Sequence, residues 1–112
     1  MFYYRIAVLT LESGYRLQSF DAFICEASKA DVTLKATDEV PQPGKDLVSG
    51  SIVHRAQPDG WFFHPNSTDQ IGLFVNNNCT SLRMRGFEDN TLSGGNEWFV
   101  RIALECWLAR HG

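Results

Sequence analysis

The run from His54 to His64, HRAQPDGWFFH, decides how the middle of this chain folds. Pro58 stands at the second position of a turn, where its fixed φ is an asset, and Gly60 follows where a positive φ suits a bulge. A three-residue loop sets Gln57 opposite Trp61, Ala56 opposite Phe62, Arg55 opposite Phe63 and His54 opposite His64. Pro65-Asn66-Ser67 closes this first hairpin. A second follows, with Ile71 to Val75 and Thr80 to Arg85 around Asn76-Asn77-Asn78, residue types that tolerate the left-handed conformation.

Moving back toward the N-terminus, Pro41-Gln42-Pro43-Gly44 forces a loop. Asp31 to Val40 alternates Val32, Leu34 and Ala36 against Thr33, Lys35 and Thr37, the pattern of a half-exposed strand. Residues 15–28 stay ambiguous, because FDAFIC suits a short strand or a single helical turn. Residues 3–11, YYRIAVLTL, read as one fairly central strand, apolar on both faces, which Glu12-Ser13-Gly14 ends.

Moving forward, Gly86 to Gly95 is a polar connection into Asn96–Arg110, NEWFVRIALECWLAR, which reads as a helix of about four turns. Asn96 suits the N-cap, Glu97 the positive end of the dipole, and Gly112 lies near the stop. At about 100° per residue, Glu97, Arg101 and Glu105 share a narrow sector with Leu108, leaving an apolar arc of roughly 240°. A helix on a single surface needs a stripe of only about 100°. The surplus predicts an interface through Trp98, Val100, Leu104 and Trp107, with a further domain or a second copy of the chain. The fold expected is one α+β domain over residues 1–112. Its strands lie within 3–85 in a mostly antiparallel sheet with two clear hairpins, covered by one C-terminal helix.

Composition narrows the function classes. At 112 residues the chain is long enough for its own core. With 44% hydrophobic and 21% charged residues, disorder is excluded. A net charge of −3 with no Lys or Arg run argues against nucleic acid or an anionic membrane as partner. No apolar run nears the length of a membrane span, and the opening MFYYRIAVLTLES lacks the marks of a signal peptide. Cys25, Cys79 and Cys106 are odd in number and far apart, which fits neither a disulfide framework nor a zinc site. The expectation is a reduced, cytoplasmic protein in which the sequons at Asn66 and Asn78 go unused.

Candidate chemistry is sparse. His54 and His64, side by side in the register above, would start a metal site with His111 or Asp69, but nothing fixes a third ligand. Two partly exposed sheet histidines are the plainer reading, and no cofactor is expected. Cys106 reads as core filler and Cys79 as an exposed residue without a partner, so neither reads as a nucleophile. Glu88 with Asp89, and Asp38 with Glu39, are solvated loop acids rather than catalysts. Gly44-Lys45-Asp46 is not a P-loop. Ser93-Gly94-Gly95-Asn96 offers N–H groups to an anion, although capping is the favoured use of Asn96. Trp61, Phe63 and Phe99 either build a core under the helix or line a ligand pocket. A non-enzymatic interaction domain therefore leads, ahead of a small-molecule binding module and, third, a metal-dependent enzyme on His54 and His64.

The opener YYRIAVLTL, the DGWFFHP hairpin, the strand pair ending SLRMRG and the closing EWFVRIALECWLARHG resemble the N-terminal region of bacterial proteins related to HPr kinase and ATP-dependent phosphoenolpyruvate carboxykinase. The resemblance implies a β-rich accessory domain ahead of a P-loop kinase core, with the apolar helix meeting that core. The Gly-Lys-Ser/Thr motif and its Mg²⁺ carboxylates do not occur in this chain. The resemblance thus implies no catalytic residue at any position here.

Overall fold

The computed structural model describes residues 1–87, 91–92 and 97–111. In chain order the strands are β1 (Phe2–Ile6), β2 (Leu9–Ser13), β3 (Arg16–Leu17), β4 (Val32–Thr37), β5 (Asp46–Ser49), β6 (Ile52–Gln57), β7 (Gly60–Pro65), β8 (Gly72–Asn76), β9 (Ser81–Arg85) and β10 (Thr91–Leu92). A 3₁₀ turn spans Gln18–Phe23, and helix α1 spans Trp98–His111. The architecture is α+β: a large, mostly antiparallel sheet and one C-terminal helix. Eight strands lie in the order β1-β2-β4-β9-β8-β7-β6-β5, while β3 and β10 form a small parallel pair.

The sheet is mixed, because β4 runs parallel to both neighbours, β2 and β9. From β5 to β9 the chain is a continuous antiparallel meander, so the two expected hairpins belong to a longer run. A further hairpin occupies residues 3–11, where a single central strand is expected. The chain turns at Ala7-Val8, and β1 lies at the sheet's edge. Ala7 takes a φ of 53° while Val8 does not turn positive, the pattern of a type II′ turn. No glycine or asparagine marks that turn, which hides it among apolar neighbours. FDAFIC resolves as the 3₁₀ turn, from which Ile24 bridges back to Tyr4.

The central hairpin closes one residue tighter than its sequence suggests. Gln57 pairs with Gly60, Ala56 with Trp61, Arg55 with Phe62, His54 with Phe63 and Val53 with His64. Gly60 keeps a negative φ; what it supplies is room, since a Cβ there would strike the Val75 carbonyl of the neighbouring strand. The strand order therefore demands glycine, not the turn. In the β8–β9 loop the left-handed residue is Cys79, at φ 58°, rather than an asparagine. Asn76 instead holds the loop with its side chain, accepting the N–H groups of Thr80 and Ser81 at 2.8 and 3.0 Å.

Register then sorts side chains by face. Leu34, Leu73, Val75, Leu82 and Met84 point to the helix and join Phe99, Val100, Ala103, Leu104 and Trp107 in one core. Each fully buried leucine of that set is worth about 1.5–3 kcal/mol relative to exposure. The other face of the meander buries Phe62, Phe74, His64 and Val53. Phe62 and Phe74 sit directly across the strands with ring centroids 4.6 Å apart.

Two expectations for the helix are corrected here. Val100, Leu104 and Trp107, expected at an interface, are only 0, 5 and 8% exposed and belong to this chain's own core. Trp98 is half-buried and stacks on Phe99 at 3.7 Å. Glu97, expected on the solvated sector, is 1% exposed. Both its carboxylate oxygens accept the Ser19 N–H at 3.2 Å, which ties the helix start to the 3₁₀ turn. The proposed cap at Asn96, the stop at Gly112, the Ser93–Asn96 anion site and the Glu88/Asp89 pair lie outside the described residues.

Candidate functional site

Eight strands at about 4.8 Å spacing make a sheet far wider than one helix, whose diameter is about 10 Å. Helix α1 packs over β8, and the sheet continues past its flank through β7, β6 and β5. Alternation puts Trp61 and Phe63 of β7 on the helix side, with His54 of β6 directly opposite Phe63. Phe63 is half-buried against the edge of the core, and Trp61 is the most exposed of the three rings. Between them and the helix flank lies a cleft of about 540 Å³.

One wall is aromatic: the His54 ring lies 5.5 Å from Trp61 and 5.8 Å from Phe63. Cys106, Ala109 and Arg110 of α1 form the other wall, and Val75, Asn76, Asn77 and Cys79 complete the lining. Trp61, 39% exposed, and the exposed Ala109 and Arg110 leave the cleft open to solvent. The far end of the helix is pinned beside it. Arg110 Nη1 donates to the Asn77 carbonyl at 2.6 Å, and His111 Nε2 lies 2.9 Å from that of Asn78.

The polar chemistry of the cleft is narrow. Among the described residues its charged or titratable lining groups are His54, Cys79, Cys106 and Arg110, with no carboxylate. Cys79, expected exposed, is buried and faces Cys106, which is half-buried, packed against the core and also lining the cleft. Burial pushes the Cys79 thiol up from its ordinary value, and so does the neighbouring Cys106; Arg110 pulls the other way. A raised thiol is a poor nucleophile at neutral pH.

His54 and His64 do not meet. The two-residue loop puts His64 opposite Val53, so its ring lies on the far face of the sheet from His54. Both contacts of His64 Nδ1 are carbonyls, Pro65 at 2.7 Å and Thr68 at 3.1 Å, so that nitrogen carries the proton. The ring stacks on Phe62 at 5.5 Å. No cluster of three or more His, Cys, Asp or Glu is placed to hold a metal among the described residues. Of the expected pocket residues, Trp61 and Phe63 line the cleft, while Phe99 lies 2% exposed in the core. His54, Cys106, Ala109 and Arg110 were not expected there. The 240° apolar arc of α1 was the available signal, since Cys106 and Ala109 occupy its surplus and face the cleft.

A second hollow, of about 450 Å³, opens on the far face between Glu39, Gln42, Gln57, Asp59 and Arg83. There the arginine is already answered: Arg83 lies 2.5 Å from Glu39 and 3.8 Å from Asp59, over the Phe74 ring. Asp38 and Glu39, the loop acids, thus include one ion-pair partner. No helix of the described residues is long and apolar enough to cross a membrane. No family model, curated protein or solved structure matches this chain.

Proposed function

We propose that the chain is a non-catalytic binding module that takes the planar apolar ring of a small ligand in the cleft between β7 and α1. The observation that carries this reading is the Trp61–His54–Phe63 wall, part-exposed and lining with Cys106 and Ala109 a cleft of about 540 Å³. That volume falls in the range of small-molecule sites, which are typically apolar with few polar groups. Aromatic rings held by a sheet offer stacking surface with little side-chain entropy left to lose. Three unpaired cysteines suit a reducing compartment.

The reading as accessory domain of an HPr kinase-like protein rests on the sequence resemblance. It needed Val100, Leu104 and Trp107 on an outer face, and these side chains are occupied within the chain. The cleft gives the apolar arc another use.

A neutral bicyclic probe, 1-naphthaleneacetamide, tests the binding reading by ligand-observed NMR and tryptophan fluorescence. About 14 non-hydrogen atoms at about −0.3 kcal/mol each give a Kd on the order of 1 mM or tighter. Chemical-shift changes confined to residues lining the cleft are expected. Saturable binding that persists unchanged in Trp61→Ala would remove the reading.

A further inference from the structure

We infer that the natural ligand is an aromatic anion, its ring against Trp61 and Phe63 and its carboxylate or similar acid on the Arg110 guanidinium. This rests on the cleft being the binding site. Three observations lead to it. First, in a chain with 13 acidic and 10 basic residues, the described lining of this cleft contains an arginine and no acid. Second, among the described residues Arg110 has no carboxylate partner. Its Nη1 donates to the Asn77 carbonyl, which orients the planar group and leaves the remaining N–H donors for an incoming acceptor. Third, Arg110 lies in the last turn of α1, where the helix dipole presents its negative end. Without that guanidinium the mouth would repel an anion; with it, the positive charge stands at the rim of an otherwise apolar slot.

The polar end of such a ligand would sit in solvent reach, because Arg110 is exposed, and the ring would take the dry part of the cleft. A cationic ligand is disfavoured by the same arginine. An unsubstituted hydrocarbon would gain nothing from Arg110.

The test uses an isosteric pair, 1-naphthaleneacetate and 1-naphthaleneacetamide, titrated into the full chain at fixed pH and low salt. An ion pair at a partly exposed rim adds up to about 1 kcal/mol, a preference of about five-fold for the acid. Arg110→Gln is expected to bring the two affinities together by weakening the acid alone, and Arg110→Lys to keep most of the preference. Raising the salt narrows it in the wild type and in Arg110→Lys, and leaves Arg110→Gln unchanged. If the amide binds and the acid binds no tighter, the inference is overturned while the cleft reading stands. A preference that survives in Arg110→Gln also overturns it, and would place the charge contact on His54. If neither compound binds, the cleft reading fails and the inference with it. Circular dichroism of each variant guards against loss of fold, and the amide affinity serves as the internal control for an intact cleft.

Discussion

Trp61 and Phe62 are neighbours in β7, yet they live in different parts of the molecule. Phe62 points to the far face, is fully buried and meets Phe74 at 4.6 Å, beneath arginines already paired with acids. Trp61 points to the helix face, is partly exposed, and shares its cleft with an arginine that, among the described residues, bonds a backbone carbonyl and no acid. One face has used up its aromatic surface and its charges in folding. The other has both left over. Surplus of this kind, in one place, is what supports the proposed binding site.

Substitutions should separate the two faces. The largest effect is expected for Phe62→Ala, a loss of about 4 kcal/mol in urea unfolding, because a closed aromatic cluster loses its centre. A cost below about 1 kcal/mol would show that the far face is not a core. Trp61→Ala should reverse the pattern, shifting stability by less than about 1 kcal/mol while weakening the naphthalene probe at least about ten-fold.

Cysteine reactivity sharpens the contrast within the cleft. With iodoacetamide at pH 8, peptide mapping should find Cys25 and Cys106 modified before Cys79, whose thiol burial holds in the protonated form. Bound probe should slow Cys106 and leave Cys25 unchanged. The smallest effect concerns the far-face edge. Asp46 is held below its ordinary value by the hydrogen bond from Arg55 at 2.6 Å. Its contribution is therefore present above the unfolded value of about 3.8 and is lost as pH falls through the lower folded value. Asp46→Asn should flatten that part of the acid dependence of the urea midpoint, by a small loss of stability at neutral pH that disappears in acid.

Local signals told the truth about elements and less about their partners. The helix was legible from Trp98 onward, and the Pro58-Asp59 turn from its residue types. The register was not, because Gly60 answers to the Val75 carbonyl on a third strand, a contact no local pattern records. The Ala7-Val8 turn was hidden by an alanine in a left-handed conformation. The parallel placement of β4 depends on long connections that carry no pairing signal. Trp61 and Phe63 were legible as pocket aromatics. Arg110 was not, since its importance comes from where the helix ends relative to β7. The breadth of the apolar arc was real: Val100, Leu104 and Trp107 fill the core from one part of it, and Cys106 and Ala109 line the cleft from another.

Asn76 joins these threads. Its amide secures the turn that carries Asn77 and Asn78, and those two carbonyls receive the last side chains of α1. A guest that fills the slot therefore leans on the same latch that keeps the helix terminus from fraying. Occupancy and the opening rate of that final turn become linked quantities, so deuterium uptake near Arg110 is a readout of loading even for a guest with no colour or fluorescence of its own.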